Sequence, residues 1–236
     1  MRVAITLAYD GTSYLGSQIQ KETHNTIFGQ FQKVLSSLGI EGKAVASGRT
    51  DKGVHASGQV CHIDLPPFWS DTFKLKRVLN EMLPPSIKVL SIQEVESDFH
   101  ARYSAKKRIY RYIIKESKSN PFESNFISFI ESVDFEAIEK NIKLFIGEHD
   151  FVNFMKTGSD VKGTKRVIYN AYAYRYKGAI ILHFEGNGYL RSQIRMMVAA
   201  LLALDKTQII EKLECTFNHK VKPAPSNGLY LAKIKY

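Results

Sequence analysis

The chain is constrained most by strand patterns that follow one another with no helix between them. Residues 165–176 and 179–186 are both predicted to be long strands, and only two residues separate the two stretches. Such neighbours pair antiparallel through a short turn, whereas a parallel pair needs a long crossover. The sequence therefore favours an α+β fold with a mostly antiparallel sheet over a doubly wound parallel fold.

The order strand, helix, strand, strand, helix, strand is predicted twice along the chain, without a sequence repeat. In the first half, period-two and period-3.6 patterns predict strands at 3–9, 43–48, 58–65 and 87–95 and helices at 27–38 and 72–83. In the second half they predict strands at 106–115, 165–176, 179–186 and 229–235 and helices at 135–146 and 189–203. We therefore expect two α+β subdomains, residues 1–104 and 105–236.

The charge balance of the chain indicates the kind of partner it binds. Its 33 Lys and Arg against 23 Asp and Glu leave a formal net charge of +10, and the basic residues are spread along the chain. A folded basic surface with a polyanionic partner is the natural interpretation.

Cysteine and apolar patterns argue against several other classes of protein. Cys61 and Cys215 are far apart with no Cys or His cluster near them, so neither a disulfide framework nor a metal site is predicted. The start of the chain reads as a strand rather than a signal peptide. The longest uncharged apolar run, 196–204, is too short to cross a bilayer. We expect a cytoplasmic protein.

The glycine-rich stretch "SGRTDKGVHASGQV" carries one acid among cations. Asp51 lies beside Arg49, Lys52 and His55. A carboxylate among cations is held ionised and oriented, which suits a nucleophile or a general base and not a general acid. A salt-bridged acid in a polar loop has the same composition, so residue chemistry alone leaves both interpretations open.

Tyr110 lies in the predicted strand "KKRIYRYIIK". Alternation puts Arg108, Tyr110 and Tyr112 on one face of that strand. An aromatic ring flanked by cations can stack an unpaired base. A core tyrosine among solvated charges is the alternative that the same alternation allows.

Arg195 marks the point where "GNGYLRSQIRMMVAALLAL" becomes wholly apolar. A guanidinium at the edge of a core needs a carboxylate or backbone acceptors, because a buried charge without a partner is costly. Asp51 is one possible partner, and extension of the side chain to solvent is the other.

The segment "GRTDKGVHASGQV" closely resembles the catalytic signature GRTDxGVHAxGQV of the TruA-type tRNA pseudouridine synthases. The resemblance continues along the chain in the order of that family. It covers "AYDGTSYLGSQIQ", "LNEMLPPSIKV", "FHARYSAKKRIYRY", "GEHDFVNF", "GYLRSQIRMMV" and "APSNGLYL".

This resemblance implies a fold and an activity. It implies the pseudouridine synthase fold, in which two α+β subdomains join their strands into a bent, mainly antiparallel sheet with a central basic cleft. The family generally acts as a homodimer that binds tRNA across both subunits. It isomerises uridine to pseudouridine at positions 38, 39 and 40 of the anticodon stem and loop, without metal or organic cofactor.

The resemblance also implies residue roles. Asp51 matches the catalytic nucleophile, and Arg49 matches the arginine that helps extrude the target nucleotide and fills its place. Tyr110 matches the tyrosine that stacks on the flipped uracil. Arg195 matches the arginine that pairs with the catalytic aspartate.

Two positions depart from the family pattern. Members commonly have GWQ where this chain has Gly16-Ser17-Gln18, and "APSNGLYL" is one residue longer than the usual spacing. Neither departure falls on a residue with an implied role.

Two other functions compete with a pseudouridine synthase of the anticodon arm. One is a tRNA-binding protein or RNA chaperone that keeps the fold without catalysis. The other is a related synthase that modifies other tRNA sites or another RNA.

Overall fold

The computed structural model describes residues 1–156, 158 and 163–236. The chain divides into two compact units, each of mixed α+β structure. Unit 1 comprises Met1–Lys106 and Leu231–Tyr236, and unit 2 comprises Lys107–Tyr230. The predicted subdomains placed the boundary after residue 104 and all of the last strand in the second subdomain.

The described residues contain ten β-strands and five α-helices. The strands are β1 (Arg2–Tyr9), β2 (Val45–Ala46), β3 (His55–Asp64), β4 (Ile87–Glu94), β5 (Lys107–Lys115), β6 (Ser128–Phe129), β7 (Gly147–Asp150), β8 (Lys165–Tyr176), β9 (Ala179–Gly186) and β10 (Leu229–Lys235). The helices are α1 (Ile27–Ser37), α2 (Thr72–Met82), α3 (Phe135–Asn141), α4 (Gln193–Ala203) and α5 (Lys206–Leu213), with 3-10 turns at Pro67–Trp69, Ile142–Phe145 and Val152–Phe154. No helix within these residues is both long and apolar enough to span a lipid bilayer.

Unit 1 is built on strands in the order β4, β1, β3, β10, with β2 beside β3. The central strand β1 runs antiparallel to both neighbours and pairs Ile5 with Cys61 on one side and Ile92 on the other. Its alternate residues Val3, Ile5, Leu7 and Tyr9 are buried, as the sequence predicts. This strand therefore ends in the core with Tyr9.

Helix α1 of unit 1 begins and ends where the sequence predicts. The Thr26 side chain accepts a hydrogen bond from the Gly29 N–H and so caps the first turn. Gly39 follows the helix with φ of +71°, a conformation that glycine adopts without a steric penalty. The start of this helix lies against the segment that contains Gly16 and Ser17.

Unit 2 has the strand order β5, β9, β8, β7, and these neighbours pair antiparallel. The short β6 lies parallel to β5. Tyr110 of β5 is opposite Phe184 of β9, and both are buried. The prediction of mixed α+β structure with mainly antiparallel pairing is confirmed.

Two helix boundaries and one additional helix in unit 2 differ from the prediction. The helix predicted over 135–146 is α-helical only to Asn141 and then tightens into a 3-10 turn. Helix α4 begins at Gln193 rather than at 189, because Ser192 has a left-handed φ of +60° that no α-helix continues through. Helix α5 was not predicted, although Asp205 and Gln208 form a capping box at its start.

Candidate active site

Asp51 lies in the irregular segment between β2 and β3 of unit 1. Its side chain is half-buried, whereas Arg49 is exposed. The Asp51 carbonyl accepts a hydrogen bond from the Val54 N–H at 3.1 Å, which closes a turn. Gly53 has φ of +76° in that turn, so a residue with a side chain would be strained there. The backbone leaving Asp51 is thereby fixed.

The backbone entering Asp51 is fixed by Thr50. The Thr50 N–H donates to the Ser17 Oγ at 2.8 Å, and the Thr50 carbonyl accepts from the Ser17 N–H at 3.1 Å. The Thr50 Oγ1 lies 2.8 Å from the Tyr9 hydroxyl. All three polar groups of Thr50 therefore have partners, as a 7% exposed residue requires.

Gln59 of β3 holds the residues that precede Arg49. Its Oε1 accepts from the Ser47 hydroxyl at 2.6 Å, and its Nε2 donates to the Gly48 carbonyl at 2.9 Å. Ser47, Gln59 and Tyr9 are all buried. A buried polar network that is satisfied in this way specifies one conformation of the segment, because each lost contact would leave a desolvated polar group.

The Asp51 segment also packs closely against the loop after β1. A Cβ atom on Gly11 would overlap the Val54 carbonyl oxygen, so only glycine fits there. The Gly11 N–H donates to Nδ1 of the buried His55 at 3.1 Å. His55 therefore uses this nitrogen as an acceptor, although the Asp10 Oδ1 is 3.2 Å away from it. The two motifs "YDGT" and "GRTDKGVH" form one packed structure.

Burial raises the pKa of Tyr9 to about 12, and hydrogen bonds with Thr50, Gln59 and Ser17 offset part of this effect. The phenol is therefore neutral at physiological pH. Its hydroxyl acts as a hydrogen-bonding group behind the Asp51 segment rather than as a charge.

Tyr110 lies in the middle of strand β5 of unit 2 and is 8% exposed. Its ring meets the ring of Tyr189 edge-on, with centroids 5.2 Å apart and an interplanar angle of 82°. Burial raises the pKa of Tyr189 well above its ordinary value, so that phenol stays neutral. Tyr110 is held rigidly, and most of its surface lies within the unit.

Two of the cations near Tyr110 in sequence, Lys107 and Arg108, have partners in unit 2. The Lys107 Nζ lies 2.8 Å from the Glu185 Oε1 and 5.0 Å from the centroid of the Tyr169 ring. An Arg108 Nη1 donates to the Asn187 carbonyl at 2.7 Å. These contacts orient the start of β5.

Arg195 lies in the first turn of α4 and is half-buried. Its Nε donates to the Ala224 carbonyl at 2.6 Å, and the Ala224 N–H donates back to the Arg195 carbonyl at 3.0 Å. The sequence indicated that this guanidinium needs a carboxylate or backbone acceptors, and the Ala224 carbonyl is one such acceptor. One guanidinium nitrogen is thus fixed by the chain itself.

The segment "APSNGLYL" supplies the acceptors for this part of unit 2. Pro225 accepts a hydrogen bond from the Tyr112 hydroxyl at 2.9 Å, next to the Ala224 contact with Arg195. Burial raises the pKa of Tyr112 to about 12, and the positive charge of Arg195 opposes this rise. The segment therefore positions Arg195 and Tyr112 together.

The structure places the predicted site residues in two groups. Asp51 and Arg49 share the segment in unit 1, and Tyr110 and Arg195 belong to unit 2. The pairing of Arg195 with Asp51 and the stacking role of Tyr110 stay predictions.

Sequence reasoning missed the residues that hold the predicted ones. Ser17, Tyr9 and Gln59 support the Asp51 segment, and Tyr189 supports Tyr110. All four lie inside the motifs that carry the family resemblance. The uncharged polar and aromatic residues within those motifs were the sequence signal that could have identified these supporting residues.

Comparison with known proteins agrees with the motifs. A family model described as tRNA pseudouridine synthase matches residues 5–104 and 142–236. The tRNA pseudouridine synthase A of Campylobacter jejuni is 36% identical over 100% of both chains. That of Wolinella succinogenes is 37% identical over 98% of this chain and 92% of its own, and that of Limosilactobacillus reuteri is 35% identical over 100% and 96%. The chain belongs to the tRNA pseudouridine synthase family.

Proposed function

We propose that this protein is a tRNA pseudouridine synthase that isomerises uridine to pseudouridine at positions 38, 39 and 40 of the anticodon stem and loop. Family membership over the full length of the relatives supports the reaction class. The observation that carries the assignment is the placement of Asp51 on a segment whose neighbouring backbone is fixed on both sides.

The reaction breaks the bond between C1′ and N1 of uridine and joins C1′ to C5, and the proton on C5 is released. Asp51 is the nucleophile in this proposal. Three routes use its carboxylate: attack on C1′, attack on C6, and removal of a ribose proton towards a glycal. Each route needs an ionised carboxylate at a fixed position, since small displacements of a reacting group are costly in rate.

The target nucleotide must leave the anticodon stem before it reacts. Extrusion costs a few kcal/mol of unstacking, which contacts with the protein offset. Arg49 is exposed next to Asp51 and is suited to fill the place of the extruded nucleotide. Tyr110 stacks on the flipped uracil in this proposal, and the edge-on contact with Tyr189 keeps its ring rigid.

Arg195 completes the proposed site by pairing with Asp51. Its Nε donates to the Ala224 carbonyl, and in this proposal its Nη atoms bind the carboxylate. The net charge of +10 favours a tRNA backbone as partner. We further propose that the two units form a basic cleft, that the protein acts as a cytoplasmic homodimer, and that it needs no metal or organic cofactor.

Tritium release from tRNA labelled at uridine C5 tests this function. Isomerisation replaces the C5 hydrogen, so the active protein releases the label and a tRNA-binding protein without catalysis does not. We expect the Asp51→Ala variant to bind tRNA nearly as well as the wild type and to release no label. Appreciable residual pseudouridine formation by that variant would refute the role of Asp51.

A site-resolved map of pseudouridine in tRNA tests the target positions. We expect positions 38, 39 and 40 to be modified only when the active protein is present. Modification confined to other positions, or to another RNA, would favour the related synthase with different targets. Sedimentation of the purified protein tests the homodimer, and a monomer at working concentration would contradict it.

A further inference from the structure

We infer that Ser17 is a positioning residue for Asp51, acting through the main chain of Thr50. This inference rests on the proposed role of Asp51 as nucleophile. It concerns the position at which the chain departs from the family's usual tryptophan.

Ser17 holds the peptide group through which the chain enters Asp51. That group consists of the Thr50 carbonyl and the Asp51 N–H, and the Ser17 N–H donates to this carbonyl at 3.1 Å. The Ser17 Oγ accepts from the Thr50 N–H at 2.8 Å, on the other side of the same residue. Two contacts from one residue therefore fix the orientation of Thr50 and the direction of the chain at Asp51.

Ser17 is itself anchored to a rigid element. Its carbonyl accepts from the Phe28 N–H at 3.0 Å, and the Gly16 carbonyl accepts from the Ile27 N–H at 3.2 Å. Both donors lie in the first turn of α1, where backbone N–H groups have no partner within the helix. The start of α1, Ser17 and Thr50 are thus linked by a continuous chain of hydrogen bonds, which ends at the residue before Asp51.

The Ser17 hydroxyl provides the acceptor that the Thr50 N–H needs. Ser17 is 1% exposed and Thr50 is 7% exposed, so loss of the acceptor would leave a buried N–H unsatisfied. An indole is a donor only and offers no acceptor to the Thr50 N–H. This chain therefore uses a hydroxyl at a position where the usual family residue has none.

Asn80 provides a matched control in the same unit. Its Oδ1 accepts from the Val89 N–H at 2.8 Å and its Nδ2 donates to the Val89 carbonyl at 3.0 Å. Asn80 thus binds both main-chain polar groups of Val89 in β4, as Ser17 binds both main-chain polar groups of Thr50. Loss of its side chain tests for a general effect of destabilising unit 1.

The experiment compares single-turnover and steady-state tritium release by Ser17→Ala, Ser17→Cys, Ser17→Thr and Asn80→Ala. We expect Ser17→Ala to lower kcat by roughly ten- to a hundredfold, with the KM for tRNA within about twofold of wild type, because a misplaced reacting group loses rate rather than binding. Ser17→Thr restores the hydroxyl and should recover most of this loss. Ser17→Cys offers a weaker acceptor and should lie between, and Asn80→Ala should lower the melting temperature without lowering kcat.

Hydrogen exchange gives a second measurement that does not depend on activity. The Thr50 amide should exchange faster in Ser17→Ala than in wild type. Its exchange rate in Asn80→Ala should equal that of wild type. An unchanged kcat in Ser17→Ala, or equal losses in Ser17→Ala and Asn80→Ala, would overturn the inference.

Asp51→Ala, assayed in parallel, separates this inference from the proposed function. Activity retained by Asp51→Ala would defeat the role of Asp51 itself. Activity lost in Asp51→Ala but kept in Ser17→Ala would defeat the role of Ser17 alone. If Ser17→Ala does not fold, the order of kcat among wild type, Ser17→Thr and Ser17→Cys decides the question.

Discussion

The two units hold their predicted site residues by different means. In unit 1, Asp51 lies in an irregular segment that has no sheet ladder of its own. The side chains of Ser17 and Gln59 bind the backbone on its N-terminal side, and the Tyr9 hydroxyl binds the Thr50 side chain. In unit 2, Tyr110 lies in a strand and Arg195 in a helix, so their backbones are fixed by regular hydrogen bonds.

This difference explains why the signature around Asp51 is so long. An irregular segment keeps one conformation only if each of its polar groups finds a specific partner. Many residues near Asp51 are therefore specified one by one. A strand or helix specifies its backbone by repetition, so a tyrosine or an arginine needs only a few supporting contacts, such as those from Tyr189 and Ala224.

The comparison predicts that the site in unit 1 tolerates the least displacement. Asp51→Glu keeps the charge and moves the carboxylate outward by one methylene. We expect kcat to fall by roughly a hundredfold or more, with the melting temperature near that of wild type because the side chain is half-buried at most. Single-turnover tritium release checks this, and a variant with more than a tenth of wild-type kcat would contradict the close fit.

Arg195→Lys tests the corresponding tolerance in unit 2. Lysine keeps the charge but lacks the planar fork, so it cannot bind the Ala224 carbonyl and a carboxylate in fixed geometry at once. We expect kcat to fall by roughly ten- to a hundredfold, the range that misplacement of a catalytic partner causes. Arg77→Lys, on the exposed face of α2, is the control and should leave kcat unchanged. Equal activity of both variants would argue against a geometric role for Arg195.

Tyr110 tests whether the ring or the hydroxyl matters. Tyr110→Phe keeps the aromatic face and the edge-on contact with Tyr189, so we expect little change in kcat/KM. Tyr110→Ala should cost about 1–3 kcal/mol of stacking in kcat/KM. Steady-state assays with both variants separate the roles. A large loss in Tyr110→Phe would show that the hydroxyl takes part in the reaction.

The sequence predicted most of the fold, and the family resemblance implied roles for the site residues, but neither indicated how those residues are held. Strands such as β1 and β8 follow from alternation, and helix α1 follows from its spacing and its Thr26 cap. The start of α4 could not be predicted, because the left-handed Ser192 interrupts a pattern that otherwise continues.

The supporting contacts could not be predicted from the sequence for a different reason. Ser17 and Thr50 are 33 residues apart in sequence, and no local pattern links a serine hydroxyl to a distant backbone N–H. Such contacts depend on how β1, α1 and β3 pack in three dimensions. The resemblance to a family implies roles for Asp51 and Arg195, and only the structure shows the backbone contacts that orient each of them.

Gln59→Leu tests the polar network of unit 1 by its effect on stability. Leucine has a similar size but leaves the buried Ser47 hydroxyl and the Gly48 carbonyl without their partner. We expect the free energy of unfolding, measured in urea, to fall by about 1–3 kcal/mol. Gln32→Leu is the control, since Gln32 binds the Gly42 carbonyl and the Ala44 N–H in a more exposed place. A similar loss in the control would show that burial of the network adds nothing.

The smallest expected effect concerns the pH dependence of unit 1. Burial, followed by the charges of His100 and Arg2, lowers the pKa of His62 below its ordinary value of 6.5. Its Nδ1 accepts from the Ala101 N–H at 3.1 Å, which a protonated ring could not do. The unfolded chain therefore binds this proton more readily, so the stability from neutral His62 is present above pH 6.5 and is lost as the pH falls below it.

His62→Asn removes the titrating ring and keeps an acceptor near the Ala101 N–H. We expect its free energy of unfolding to decline less than that of wild type between pH 7.5 and pH 5.5 in urea titrations. His24→Asn is the control, because His24 is exposed and should keep the wild-type slope. If His62→Asn and His24→Asn decline equally, His62 does not govern the acid side of unit 1's stability.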